Sequence, residues 1–278
     1  MTVPQLAALT LTCAAVAFAP TRADAQYGET LRGGRPGQAM GVYAVGDKVL
    51  QFEQGVTFQK TDFNTGQIDG NSITNNNVIR LGLAERLEVS TVVVVQRTAV
   101  DIEGLTPGDD EFRETGISVR QVRGRVALSN GEDFLPPIAL QVAALLPWSS
   151  SVFNRDNLGF TAQVSGGDSV NDWLALTGNV GVTNSGNGLD TDGFYVGAVG
   201  FSVSENLGLL VEGYGRFREF DFNVDFGASY HVNDDLQLDV LYGRQGFGQF
   251  EGDLPAIDDQ WFLSAGVSWR VTWREAGQ

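Results

Sequence analysis

Nine charged residues carry most of the chemistry this sequence offers. Glu53, Arg80, Glu88, Arg123, Arg125, Glu212, Asp225, Asp239 and Arg270 sit at every-second positions of segments whose other positions are largely apolar. Five carboxylates and four guanidiniums turned into one low-dielectric interior must pair or stay hydrated, because an isolated buried charge is costly. Two readings follow and both stay open: a charged lumen that filters solutes, or an internal salt-bridge network that holds a barrel in shape. Catalytic sets are harder to assemble. The single histidine, His231, falls at the end of a segment beside a turn, whereas a Ser-His-acid lipase site would need it near the opposite, outer rim. There is no P-loop, no HExxH and no Cys/His cluster. Asp190-Thr191-Asp192-Gly193 matches the opening of a calcium loop but lacks the later glutamate of an EF-hand. No cofactor and no metal is expected.

The segments that position these charges alternate with a period of two, the mark of a sheet with two different faces. Phe220, Phe222, Val224, Phe226, Ala228 and Tyr230 alternate with polar or small residues, as do Trp261, Leu263, Ala265, Val267, Trp269, Val271 and Trp273. Twelve such strands are expected, at 48–60, 74–83, 86–98, 116–129, 137–147, 157–165, 172–182, 193–204, 206–217, 219–231, 235–244 and 260–273. Most reach the nine to eleven residues that a tilted strand needs to cross a bilayer, beyond the usual length in soluble sheets. Turns after the second, eighth and tenth strands are short. Longer loops, 61–73, 99–115, 183–192 and 245–259, follow most odd strands, the asymmetry of a membrane barrel. A soluble sandwich also alternates, but it explains neither the strand lengths nor the loop asymmetry. Trp261 and Trp273 are twelve residues apart, which at a tilt near 40° spans roughly 30 Å, the separation of two aromatic girdles. The expected fold is therefore all-β: a closed, antiparallel, up-and-down transmembrane barrel of about twelve strands over residues 47–273, with a short tail at 274–278. Lipid offers no water to backbone amides, so only a closed ladder can span it with strands.

Composition agrees. The 278 residues include 35 glycines and 17 phenylalanines but 8 prolines, and a mean hydropathy of −0.07 is far too low for a helical membrane protein. The net charge of −16 leaves no basic face for nucleic acid. Leu6–Phe18 is an apolar run followed by Ala23-Asp24-Ala25, the pattern of a cleaved export signal over residues 1–25, although Met1–Gln5 has no basic residue; a buried helix is the competing reading. Cleavage would remove the only cysteine, Cys13, together with Arg22 and Asp24, whose charges cancel. Residues 26–46, rich in glycine and without periodicity, are read either as a flexible periplasmic segment or as a lumen plug. The expected outer loops are acidic, with Asp101, Glu103, Asp109, Asp110 and Glu111 in one and Glu251, Asp253, Asp258 and Asp259 in another. Such a mouth favours cations or neutral solutes, or is a solvated face bridged to lipopolysaccharide by divalent ions.

Several phrases resemble the outer-membrane "transporter" family linked by name to the meta-pathway of phenol degradation. They are the run Arg80–Val89, the run Leu207–Tyr214, and Asp225–Tyr230 followed by Leu236–Asp239. The closing run Ser264–Val271, with Ser264, Gly266, Trp269 and Val271, looks like the C-terminal signal read by the barrel-assembly machinery. The resemblance spans roughly residues 45 to 273. One departure is Val119 in the fourth strand, where an acidic residue is expected, which puts any lumen network using that acid in doubt. The resemblance implies a barrel in the cell outer membrane, in contact with its lipid and lipopolysaccharide, that acts as a passive channel for small solutes, the hydrophobic or aromatic class resting on the family name alone. A non-conducting structural or interaction barrel is the alternative, and a barrel lipid hydrolase the third reading.

Overall fold

The structure, a computed structural model, describes residues 31, 33–63, 68–102, 111–131, 136–150, 155–187, 191–218, 221–247 and 257–273. The expected signal segment, the C-terminal tail and most of the acidic loop residues lie outside these. Twelve strands follow one another: β1 (Val49–Phe63), β2 (Ile68–Ala84), β3 (Leu87–Ile102), β4 (Glu111–Ser129), β5 (Ile138–Leu145), β6 (Gly159–Asn171), β7 (Leu174–Asn184), β8 (Asp192–Ser202), β9 (Leu207–Arg216), β10 (Phe222–Asn233), β11 (Leu236–Phe247) and β12 (Ile257–Thr272). Each pairs antiparallel with its neighbours in sequence, and β1 pairs with β12, so the sheet closes on itself. No ladder edge is left for lipid to meet.

The alternation in sequence becomes two faces in the register. Along β1, Leu50, Phe52, Val56 and Phe58 point outward, while Gln51, Glu53, Gly55, Thr57 and Gln59 point inward opposite Arg270, Ser268, Gly266, Ser264 and Phe262 of β12. The outer face is apolar: Val180, Phe226, Val240, Leu263 and Val271 are each about half exposed, as lipid-facing side chains must be. Two ring pairs cross the β1–β12 closure on this face. Phe52 stacks on Trp269 with centroids 4.8 Å apart, and Phe58 meets Trp261 at 5.5 Å. Aromatic pairs of this kind add about 0.5–1.5 kcal/mol each beyond area burial, here at the one seam that joins the chain's two ends.

The strands differ from expectation at their outer ends. β1 to β4 run three to six residues further than the sequence pattern suggests, taking in Thr61–Phe63, Ile68–Ile73, Ala99–Ile102 and Glu111–Thr115. Above the lipid a hairpin needs only its ladder and no apolar face, so its pattern loses the signal that marks a membrane strand. β6 extends instead at its periplasmic end, reaching Asn171 rather than 165 and leaving a tight turn at Asp172-Trp173. Val119 lies on the lipid face opposite Val93, next to a bulge at Arg120, and takes no part in the interior.

Candidate functional site

Residues 31 and 33–46 lie inside the barrel and run around its wall. The segment starts at the periplasmic rim, where the Leu31 amide donates to the Asp234 carbonyl at 2.7 Å. It climbs to β11 and β12, where the Arg35 guanidinium binds Asp239 at 2.9 Å and donates to the Ser264 hydroxyl at 3.0 Å. It passes β9, where Glu212 accepts the Gln38 and Ala39 amides at 2.5 and 2.9 Å. At β7 the Asn179 side chain accepts the Met40 amide and donates to the Met40 carbonyl. Arg125 of β4 donates to the Tyr43 carbonyl at 3.1 Å, and Glu88 of β3 accepts the Val45 amide at 3.0 Å. The chain then enters β1. Leu31, Val42, Ala44 and Val45 are buried along the way.

A segment with no ladder of its own must find partners for every backbone amide it buries. Here the wall carboxylates supply them. Glu53 accepts the Gly34 amide at 3.0 Å as well as the Arg80 guanidinium at 2.9 Å. Arg80 also binds Glu88 at 2.8 Å, and Arg125 stands 3.8 Å from Glu88. Charges and amides thus form one network: Glu53, Arg80, Glu88 and Arg125 on one side, Asp239 with Arg35 on the other, and Glu212 between them. Gly37, at φ 104°, takes the left-handed conformation that turns successive amides toward the Glu212 carboxylate.

Glycines in the wall make room for this traffic. Gly55 and Gly266 face each other across the β1–β12 ladder, and a methyl group on either would collide with the Arg35 guanidinium. A methyl on Gly82 would strike the Gly46 carbonyl. Gly266→Val is therefore expected to displace Arg35 and loosen the segment while the barrel itself persists. Single-channel recording should show a larger or noisier conductance with unchanged heat-modifiable migration on gels. A conductance identical to that of the parent would contradict the slot.

All nine charged residues singled out from the sequence face the interior, but their contacts differ. Glu53, Arg80, Glu88, Arg125, Glu212 and Asp239 hold the inner segment or each other. Arg123 is half-buried on the inner face of β4, where its Nε lacks a partner among the described residues. Arg270 turns down to the periplasmic rim and binds Asp235 at 2.6 Å. Asp225 lies directly opposite Glu212, fully buried, with neither carboxyl oxygen hydrogen-bonded among the described residues. Two facing acids in a desolvated wall repel unless one is neutral. Asp225→Asn keeps the shape and removes that repulsion, so it should raise barrel stability by about 1–3 kcal/mol, read as a higher temperature of gel-shift unfolding; a lower temperature would contradict it. Of the closing-strand positions, Ser264 and Gly266 face inward under Arg35, while Trp269 and Val271 face lipid. His231 is on the inner face at the periplasmic end of β10, opposite Gln237.

Above the network the lumen changes character. The inward positions in register are Thr57, Gln59, Thr61, Ser72, Thr74, Gln96 and Thr98 on β1–β3, Thr161 and Thr183 on β6 and β7, and Phe194, Val196, Leu241 and Phe262 elsewhere. None is charged. Charge returns near the outer ends with Glu114, Asp192 and Arg216. Below the segment, a cavity of about 450 Å³ opens at the periplasmic end between it and the β7–β10 wall, lined mainly by small residues such as Ala198, Gly200, Gly208 and Ser229.

This architecture has relatives of known structure. An outer-membrane channel from Pseudomonas putida F1 superposes with a TM-score of 0.59 at 11% identity, over 82% of this chain and 98% of the channel. The KdgM porin superposes at 0.50 and 11% identity, over 78% and 98%. At such identities the likeness shows the fold alone: that of outer-membrane channels. No curated protein sequence matches the chain. A family model does match residues 33–249, from the inner segment through β11, and the chain therefore belongs to the family described as "Putative MetA-pathway of phenol degradation".

Proposed function

We propose that this outer-membrane barrel is a passive channel for small uncharged solutes, with the inner segment 33–46 as its constriction. The uncharged, partly aromatic band of the lumen between the network and the charged outer rim carries this reading. Hydroxyls, amides and rings that line a pore without fixed charge favour neutral molecules with an apolar face. Six of the wall charges, Glu53, Arg80, Glu88, Arg125, Glu212 and Asp239, which would otherwise filter ions, are engaged with the segment or with one another. The small-residue cavity beneath gives a passing solute an exit to the periplasm. The family's phenol-degradation name fits a solute of this class. The reading is of a channel and not of a lipid hydrolase.

Liposome swelling tests the solute class. Vesicles carrying the protein should swell faster in neutral aromatic or alcoholic solutes than in sugars or organic anions of equal size. Equal rates for anions and neutral solutes would overturn it. In the same assay Thr98→Asp, which adds a charge above the network, should slow neutral apolar solutes; an unchanged rate would mean that they bypass this part of the lumen.

A further inference from the structure

The outer face carries one patch that lipid cannot satisfy. Gln54 of β1 points outward opposite Val267, which lies halfway between Trp261 and Trp273 and so near the middle of the membrane. Directly opposite Gln54 on β2 is Asn77, and Asn75 follows one alternation nearer the outer rim. Outward residues at comparable depth elsewhere are apolar, such as Val180, Val211, Phe226 and Val240. Asn77 donates to the Asn75 side chain and, at 3.4 Å, weakly to the Val93 carbonyl. Gln54 is exposed and has no hydrogen-bond partner among the described residues.

Three carboxamides at the core of a bilayer leave donors and acceptors that hydrocarbon cannot meet. We propose that this β1–β2 face is where two copies of the chain meet in the membrane, the amides of each completing those of the other. A carboxamide is both donor and acceptor, so the patch turned over by a twofold axis presents its own complement. It carries no charge that would select a partner of opposite sign. Its rim, including Val56 and Val93, is β-branched and low, which lets two sheet faces approach closely. Interfacial amides between membrane segments are a known means of association in lipid.

Cysteine cross-linking in outer-membrane preparations of the full chain tests this, because the sequence holds one cysteine, Cys13, within the expected signal segment. Val56→Cys sits beside the patch; Val180→Cys, on β7, sits on the far wall. With a short bis-maleimide, Val56→Cys should give a product of twice the chain's mass and Val180→Cys should not. Adding Gln54→Leu to Val56→Cys should cut that product roughly tenfold while heat-modifiable migration is retained. Equal cross-linking at both sites would mean random collision. A product of another mass would mean a different protein occupies the face. No cross-linked dimer, or no effect of Gln54→Leu in a folded barrel, would each overturn the proposal.

Discussion

Arg80→Ala is expected to lower the stability of the folded barrel by about 3–5 kcal/mol. Arg80 is buried, 4% exposed, between Glu53 and Glu88, and its guanidinium is the direct ion-pair partner of both. Removing it leaves two buried carboxylates sharing Arg125, which stands at 3.8 Å from Glu88. The same acids hold the Gly34 and Val45 amides, so both ends of the inner segment loosen with them. The measurement is the temperature at which the compact, SDS-resistant form converts to the slow-migrating one, which should fall sharply. The double variant Arg80→Ala/Glu88→Gln should recover part of the loss, since one uncompensated charge goes with the cation. An Arg80→Ala barrel as heat-resistant as the parent would mean that water, and not the ion network, solvates this wall.

The fold was legible because its physics is local. Period-two runs such as Phe222–Tyr230 and Trp261–Trp273 state on their own that one face meets lipid and the other does not. They fix strand existence, direction and the inward set that includes Glu88 and Glu212. The strand extensions above the membrane were not legible, because Ile68–Ile73 and Glu111–Thr115 pair outside lipid and need no alternation. The site was half legible. Alternation placed Glu53, Arg80 and Asp239 on the inner wall but could not say what they bind, since a lumen full of water and a lumen full of chain ask for the same residues. Residues 33–46 are glycine-rich and aperiodic, which fits a free segment as well as a tethered one, and both placements stayed open. Their partners Asn179 and Gln237 look like ordinary inward polar residues. A signal of occupancy that alternation alone does not reveal is the pair Gly55 and Gly266: once the register sets these two inward positions side by side, their missing side chains leave a gap that Arg35 fills.

The second large effect concerns conduction. In the full chain, Glu212, Glu88, Glu53 and Asp239 all grip the segment from different strands, so it runs around the inner wall and takes up lumen space. A barrel lacking residues 26–46 should still close, because every ladder from β1 to β12 lies outside the deleted stretch and water can enter to solvate the freed acids. Its lumen would be wider, and its exposed carboxylates would favour cations. Planar-bilayer recording of the two proteins side by side tests this most directly. The deletion is predicted to raise single-channel conductance severalfold or more, by roughly the difference between a filled and a water-filled interior, with a shift toward cation selectivity. Equal conductance and selectivity in a deleted barrel that still shows heat-modifiable migration would contradict the assignment of residues 33–46 as the constriction.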